Sequence, residues 1–343
     1  MHEPIDPPEG PNIFGLPEAP ADASIVLIPA PFDATSSFRR GSRYGPAAIH
    51  RTSEQLDLHD ARFGPVWRHG LHMEPIPRAL LERSEAVSPD ADRVYEIGEF
   101  EDRSGVADSI HRIGEACETV RRYVLERCAR ALEAGKIPGV VGGEHSVSLG
   151  ALEAAGGAGS FGVLQIDAHL DLRPAYLGVS GSHASIMRNA HDRIDAISTI
   201  VSVGARDASA MEWAFAHASD RVRVFADHTL HDERFRGRSW SDQVEEIIQA
   251  LPASVYVSVD IDGLDPSLCP STGTPVPGGL SYEALSFLLE RLARSGRRIV
   301  GFDLVEVSPG ETLGPGDGID AIVGARVLYR LCGAAGMAHA VQK

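Results

Sequence analysis

The sequence predicts a three-layer α/β/α fold in which helices cover both faces of a parallel, doubly wound sheet. Short apolar runs alternate along the chain with segments of helical periodicity, as in β-strands joined by crossover helices. The runs are mostly apolar rather than alternating between apolar and polar residues, which indicates strands buried on both faces. They lie at 24–30, 137–143, 161–166, 199–204, 221–226, 254–260 and 298–303.

The N-terminal region divides into an arm and the start of one domain. Residues 1–23 are rich in proline and acidic side chains and are predicted to form an extended arm, with residues 24–343 forming a single domain. The first strand, 24–30, is followed by a loop at 31–46 that is dense in turn formers. Residues 71–105 contain several prolines and mixed charges, and the sequence gives no assignment there.

Helices are predicted between the later strands. Asp108 and Ser109 are expected to cap a long amphipathic helix, because apolar residues follow at spacings of three and four, namely Ile110, Ile113, Cys117, Val120, Val124 and Cys128. Further helices are expected at 146–155, 241–250, 281–294 and 320–333. With no internal repeat or low-complexity tract, a single α/β domain is the economical interpretation.

Composition narrows the class of protein. The net charge of −16 disfavours nucleic acid as a partner, because phosphate binding needs clustered Lys and Arg, and it suits a cationic substrate. No uncharged apolar run of about 18 residues and no signal sequence is seen, so we expect a cytoplasmic protein that does not bind membranes. The cysteines show no CxxC spacing and are expected to be reduced: Cys117, Cys128, Cys269 and Cys332.

Ligand-type side chains follow four of the predicted strands, where parallel sheets bind their ligands. His145 follows "IPGVVGG", and Glu306 follows "GFDLV". In "GVLQIDAHLDLR", alternate positions of an extended chain share one face, so the side chains of Asp167, His169 and Asp171 converge. A further strand ends in "DIDGLD", which contains Asp260 and Asp262.

This set predicts a metal site. The candidate ligands are His145, Asp167, His169, Asp171, Asp260 and Asp262. Four carboxylates and two imidazoles in one small volume need cations, and two bridged ions can use all six side chains. Mostly oxygen ligands without thiolate favour Mn²⁺ over a structural zinc, although nickel or another first-row ion is possible. Each motif alone has a simpler explanation as a solvated turn or a loop histidine, and "DIDGLD" does not match an EF-hand.

Beyond the individual sites, the successive segments "GGEHS", "DAHLDLR", "GSHASIMR", "SVDIDGLDPSLCPSTGTPVPGGL" and "GFDLVEVSP" resemble the signature motifs of the ureohydrolase family, which includes arginases and agmatinases. The early "FRRGSRYGPAAIH" resembles that family's N-terminal loop. The resemblance extends from about residue 24 to 335. It implies an arginase-like fold and a homo-oligomer, a trimer or hexamer.

The resemblance also implies a role for each residue. One Mn²⁺ would be held by His145, Asp167, Asp171 and Asp260, and the second by Asp167, His169, Asp260 and Asp262. Glu306 would pair with the substrate guanidinium, Asp171 would orient the attacking nucleophile, and His183 would transfer a proton to the leaving amine. The reaction would release urea and an amine, and two ions would make a nucleophile available from water at neutral pH.

Departures from the motifs concern the substrate. Glu144 stands where many members have Asp. At Arg173 and in "GSHAS", the sequence lacks the groups with which arginases hold the amino acid end of arginine, so the agmatinase-like branch and agmatine, converted to putrescine, are favoured. Arg173 is a candidate for contact with the substrate tail; if it has that role, a guanidino acid such as 4-guanidinobutanoate or 3-guanidinopropanoate is the alternative, with arginase and formiminoglutamase activities ranked lower.

Two alternatives belong to other classes. A deacylase of similar architecture would use one zinc ion and fewer carboxylates than this sequence offers. A catalytically silent binding homologue would be expected to lack a metal ligand or the guanidinium partner, and the sequence retains both.

Overall fold

The computed structural model describes residues 9–97, 104–310 and 318–340. Within them the chain forms one parallel sheet of eight strands. The strands are β1 Ile25–Ala30, β2 Leu71–Met73, β3 Ile137–Gly142, β4 Phe161–Ile166, β5 Ile197–Val203, β6 Val222–Phe225, β7 Ser254–Asp260 and β8 Arg298–Val305.

Ten helices lie between and beside these strands in the described residues. They are α1 Gly45–Ser53, α2 Arg78–Ile97, α3 Ala107–Glu133, α4 Leu149–Ala158, α5 Ile186–Arg193, α6 Ala210–Ala218, α7 Asp227–Phe235, α8 Trp240–Gln249, α9 Tyr282–Arg294 and α10 Ile319–Ala340. One apolar core contains residues of α1 and α7 to α10, and a second contains residues of α2 to α6. The three-layer parallel architecture predicted from the sequence is confirmed.

The order of the strands decides where the functional side chains meet. Across the sheet the order is β2-β1-β3-β8-β7-β4-β5-β6. After β3 the chain skips two positions before forming β4, and β7 and β8 later fill the gap. The carboxyl ends of β3, β8, β7 and β4 are therefore neighbours, although they are distant in sequence.

The segment 71–105, which the sequence left unassigned, contains regular structure where it is described. It forms the edge strand β2 and the 20-residue helix α2, which continues past Pro89. Proline removes a backbone donor and normally ends a helix, so "SPDADRV" looks like a helix start when read alone. Burial of Leu80, Val87 and Val94 against the domain supports the longer helix.

Two other local predictions need correction. The start of α3 is not capped by Asp108 or Ser109, because the N-cap position is Val106 and the Ser109 hydroxyl instead donates to Asp90 Oδ1 at 2.9 Å. The described part of the N-terminal arm is not an extended tail: Ile13 and Phe14 are buried in a short 3-10 turn. Residues 1–8 of the predicted arm lie outside the described residues.

The last helix is a core element. Within the described residues, α10 is the one helix long and apolar enough to cross a membrane, and 78% of its most apolar window is buried inside the fold. It packs against α9, α1 and β8. The four cysteines are free thiols.

Asp90 is expected to stabilise the packing of α2 on α3. Its carboxylate accepts hydrogen bonds from Arg112 Nη2 at 2.6 Å and Arg112 Nε at 2.8 Å. We expect Asp90→Ala to lower the free energy of unfolding by about 1–2 kcal/mol. The control Asp92→Ala removes an exposed ion pair with Arg40 and should cost less. Equal losses in denaturant titrations of the two variants would contradict this assignment.

Candidate metal centre

The six candidate ligands meet at the carboxyl edge of the sheet. His145 begins a 3-10 turn after β3, and Asp167 directly follows β4. Asp260 is the last residue of β7, and its carboxylate caps the turn that contains Asp262. Because each side chain lies within a few residues of a strand end, the sheet fixes its position. Of the six side chains, all but His169 are almost fully buried, and that ring is 24% exposed.

One group of ligands surrounds His145. Its Nδ1 lies 3.1 Å from Asp167 Oδ2, 3.1 Å from Asp171 Oδ2 and 3.5 Å from Asp260 Oδ2. This buried nitrogen has no hydrogen-bond partner of good geometry among the described residues. A buried ring nitrogen that faces three carboxylate oxygens is suited to share a cation with them.

A second group surrounds His169. Its Nδ1 lies 3.1 Å from Asp262 Oδ2 and 3.5 Å from Asp167 Oδ1. The ligand atoms that His169, Asp167 and Asp262 offer lie within 4.8 Å of one another. The ligand atoms of His145, Asp167 and Asp260 form another group within the same distance. Asp167 belongs to both groups and presents a different oxygen to each histidine. The geometry therefore fits two adjacent ions bridged by Asp167.

The local electrostatics show why this cluster requires cations. Burial, reinforced by the negative charge of Asp167, raises the pKa of Asp171 to about 6. Burial and the neighbouring charges of Asp262 and Asp167 raise the pKa of Asp260 well above its usual range. Burial alone would lower the pKa of His145, but the adjacent carboxylates of Asp167 and Asp171 raise it. Without metal, the cluster must hold protons in place of cations.

Two candidate site residues have a strained backbone. Asp171 has φ of 52° and Glu306 has φ of 60°, in the left-handed region that non-glycine residues rarely adopt. Such conformations persist where the surrounding structure enforces them, and they concentrate at functional sites. Here they turn both carboxylates toward the cluster after β4 and β8.

Close backbone approach explains two glycines at this edge. A Cβ on Gly143 would lie 2.0 Å from Phe32 O, and one on Gly263 would lie 2.7 Å from Asp167 N. Both distances are impossible without backbone movement, so each glycine allows neighbouring loops to approach the ligands closely.

Glu306 and His183 occupy one side of the cluster. Glu306 Oε1 accepts a hydrogen bond from His145 N at 3.0 Å and lies 3.3 Å from His183 Nδ1. Glu306 Oε2 is buried without a hydrogen-bond partner among the described residues, so this carboxylate has an oxygen available for a donor. His183 is 8% exposed rather than the surface histidine that its sequence context indicates.

The loop after β1 completes this side, which sequence reasoning missed. Ser37 Oγ lies 3.2 Å from His183 Nε2, and Thr35 Oγ1 accepts from His183 N at 3.0 Å. Glu144, the departure from the family pattern, accepts from Thr35 Oγ1 at 2.5 Å and from Thr35 N at 2.7 Å. The Glu144 side chain, which is longer than the Asp found in many family members, thus holds in place the loop that contacts His183. The sequence signals were the turn-rich composition of residues 31–46 and the resemblance of "FRRGSRYGPAAIH" to the family's N-terminal loop.

A cavity of about 190 Å³ opens above the cluster. Its walls include His169, Asp171, Asp260 and His183, so candidate metal ligands and the candidate proton donor face the same space. The volume is below the 300–1,000 Å³ typical of drug-sized pockets, which favours a small ligand.

The outer wall of the cavity contains Arg173, Asp207 and Glu212. Arg173 Nε lies 3.3 Å from Glu212 Oε2, and the guanidinium carbon lies 5.2 Å from the centre of the Tyr176 ring. The charge of Arg173 is thus balanced by a carboxylate within the wall. Asp207 and Glu212 were not identified from the sequence. Neither directly follows a predicted strand, and neither belongs to a recognisable motif.

Comparisons with known proteins agree with this architecture. The arginase family model matches residues 23–333. An N(1)-aminopropylagmatine ureohydrolase from Thermus thermophilus is 34% identical over 301 residues, which cover 87% of each protein.

Solved structures lead to the same family. An agmatine ureohydrolase from Thermoplasma volcanium has a TM-score of 0.69 at 26% identity, covering 94% of this chain and 93% of that one. Proclavaminate amidino hydrolase from Streptomyces clavuligerus has a TM-score of 0.73 at 26% identity, covering 97% and 99%. The chain therefore belongs to the arginase family and is a hydrolase of that family, acting on a C–N bond of a linear amidine.

Proposed function

We propose that the protein uses a binuclear metal centre to hydrolyse a small cationic guanidino compound to urea and an amine, with agmatine or N(1)-aminopropylagmatine as substrate. The observation that carries this proposal is the placement of all six candidate ligands, Glu306 and His183 around one edge of the sheet. The names of the relatives favour these two substrates over arginine.

The residues present fit two divalent ions. His145, Asp167, Asp171 and Asp260 would hold one, and Asp167, His169, Asp260 and Asp262 the other, with Mn²⁺ the best match to a set of carboxylates and imidazoles. When bound, such ions make a nucleophile available from water at neutral pH. The ligands also neutralise the ions within a buried site.

Glu306 is suited to orient the substrate. A guanidinium presents parallel N–H donors that a carboxylate accepts in a two-pronged arrangement, and Glu306 Oε2 has no other partner among the described residues. Holding the guanidinium there keeps its carbon beside the metal ligands. The binding energy of the substrate then fixes the orientation that the reaction needs. Asp171, whose carboxylate lines the cavity, is placed to orient the nucleophile.

His183 is suited to supply the proton that the leaving amine needs. It lines the cavity, and its ring lies between Glu306 and Ser37. Burial lowers the pKa of His183, but the hydrogen bond and charge of Glu306 outweigh that effect and raise it. A histidine that is protonated near neutral pH can act as a general acid.

The cavity wall favours a cationic tail over a carboxylate. Glu212 is already paired with Arg173, so a substrate carboxylate would have to compete with the buried Glu212 side chain for that arginine. Asp207 adds a further negative charge to the same wall. A second positive charge on the substrate also suits the acidic chain. We propose on these grounds that Arg173 has a structural role. As a separate proposal, a polyamine-type substrate would place the protein in polyamine metabolism, in the cytoplasm.

Substrate choice is tested by urea release from the Mn²⁺-loaded protein with agmatine, N(1)-aminopropylagmatine, 4-guanidinobutanoate, 3-guanidinopropanoate, arginine and guanidine. We expect the highest kcat/KM for one of the two polyamine-type substrates. Preference for a guanidino acid would make Arg173 the carboxylate anchor instead. Absence of urea from every compound would contradict the proposed reaction.

Two substitutions separate metal binding from substrate orientation. Asp260→Ala removes a candidate ligand that lies 3.5 Å from His145 Nδ1, and it should abolish retention of at least one Mn²⁺ and all turnover. Glu306→Gln keeps an acceptor for His145 N but loses the negative charge, so it should retain both ions and lose kcat/KM by a factor on the order of 100 or more.

The control for these variants is Asp265→Ala, which alters the same "DIDGLD" segment at a carboxylate bonded to Ser267 N. It should retain metal and turnover. Metal content by elemental analysis and steady-state kinetics give the result. Full turnover by Asp260→Ala would exclude the binuclear mechanism.

Metal affinity should depend on pH in one direction. Asp171, with a pKa of about 6 without metal, and Asp260, whose pKa is raised by burial and by neighbouring carboxylates, hold protons that compete with the ions. Affinity should therefore rise with pH, and the ions should be lost as the pH falls through about 6. Calorimetric Mn²⁺ titrations at several pH values measure this, and an affinity independent of pH would contradict it.

A further inference from the structure

Four adjacent strands carry buried polar side chains at the same level of the sheet. Gln165 on β4 is in register with Ser202 on β5 and with Ser258 on β7, and Ser258 is in register with Asp303 on β8. All four side chains are 0–1% exposed. We call these four residues the buried polar row. Burying polar groups within apolar strands is costly unless they are hydrogen-bonded, so their contacts need an explanation.

Gln165 contacts the ligand that both metal groups share. Its Nε2 donates to Asp167 Oδ2 at 2.9 Å and to His169 O at 3.3 Å. Gln165 precedes Asp167 by two positions, so the two side chains lie on the same face of the extended chain. This contact fixes the orientation of the Asp167 carboxylate from below.

Ser258 contacts the other side of the His145 ring, and Asp303 in turn contacts Ser258. The Ser258 hydroxyl lies 2.8 Å from His145 Nε2 and donates to Asp303 Oδ1 at 2.9 Å. A hydroxyl has one proton, and here it is donated to Asp303. Ser258 can then only accept from His145, which places the ring proton on Nε2 and leaves the Nδ1 lone pair facing Asp167 and Asp171.

We infer that the buried polar row positions the metal centre from beneath: Ser258 and Asp303 set the orientation and tautomer of His145, while Gln165 sets the orientation of Asp167. This inference rests on the proposed metal-dependent function. It also explains why polar residues persist at these positions in strands that are otherwise apolar.

The row contains its own control. Ser202 is equally buried, but its hydroxyl has no hydrogen-bond partner in the described structure and contacts none of the candidate ligands. If the row served only to fill space between helices and sheet, Ser202 and Ser258 would be equivalent. If it positions ligands, only Ser258 matters for metal binding.

The test is calorimetric titration of metal-free protein with Mn²⁺ alone, in wild type, Ser258→Ala, Gln165→Met and Ser202→Ala. Removing hydrogen-bond partners of metal ligands typically weakens affinity 10–100-fold. We expect Ser258→Ala to weaken one of two ions by about that factor, because His145 faces one group. Gln165→Met should weaken both ions, because Asp167 faces both groups, and Ser202→Ala should match wild type.

Thermal unfolding of the metal-free variants checks that each variant is folded under the titration conditions. Ser258→Ala should be less stable than Ser202→Ala, because it leaves Asp303 and His145 Nε2 without their hydroxyl partner, but both should unfold well above the titration temperature. Wild-type affinity in both Ser258→Ala and Gln165→Met, or an equal loss in Ser202→Ala, would overturn the inference while leaving the proposed function intact. Wild-type protein that binds no Mn²⁺ would instead overturn the proposed function, and this inference with it.

Discussion

The concentration of negative charge at the carboxyl edge of the sheet is the constraint on which the rest of this structure depends. Four carboxylates and two imidazoles form two adjoining groups that share Asp167, and most of these side chains are buried. Such a cluster would be strongly unfavourable in a low-dielectric interior without cations or bound protons. The raised pKa values of Asp171 and Asp260 show that neighbouring negative charge and burial favour the protonated carboxyl groups when no cation is bound.

The backbone around the site has the features needed to bring these carboxylates and imidazoles together. The ligands come from three strands and Glu306 from a fourth, so the sheet must bring four distant segments side by side. Glycines 143 and 263 let the loops approach without steric conflict, and the left-handed backbone at Asp171 and Glu306 redirects two carboxylates. Rigid strands keep these positions fixed, which suits a reaction that depends on orientation.

The layers around the ligands have distinct tasks in the proposed mechanism. Beneath them, Gln165 and Ser258 contact ligands from within the sheet. Beside them, Glu144 fastens the loop containing Thr35 and Ser37, which contacts His183. Above them, Arg173 is paired with Glu212, and the proposed function gives this arginine a structural role. The departure at Glu144 therefore affects the proton-transfer side rather than the metal ligands.

Local periodicity let the sequence by itself determine seven of the eight strands and the parallel three-layer class, and the residues that follow those strands indicated the candidate ligands. Alternation along an extended chain predicts that Asp167, His169 and Asp171 share one face. In the structure these residues lie beyond β4 and Asp171 has a left-handed backbone, so the tertiary structure sets how their side chains converge. Only the tertiary structure decided the strand order that puts β8 and β7 between β3 and β4, because apolar strands of similar composition carry no information about their neighbours. Tertiary packing also decided that α2 continues through Pro89 and that His183, far from any strand end, is buried beside Glu306. The same holds for Ser258 and Gln165, since a single polar residue in a strand acquires its partner only when the sheet assembles.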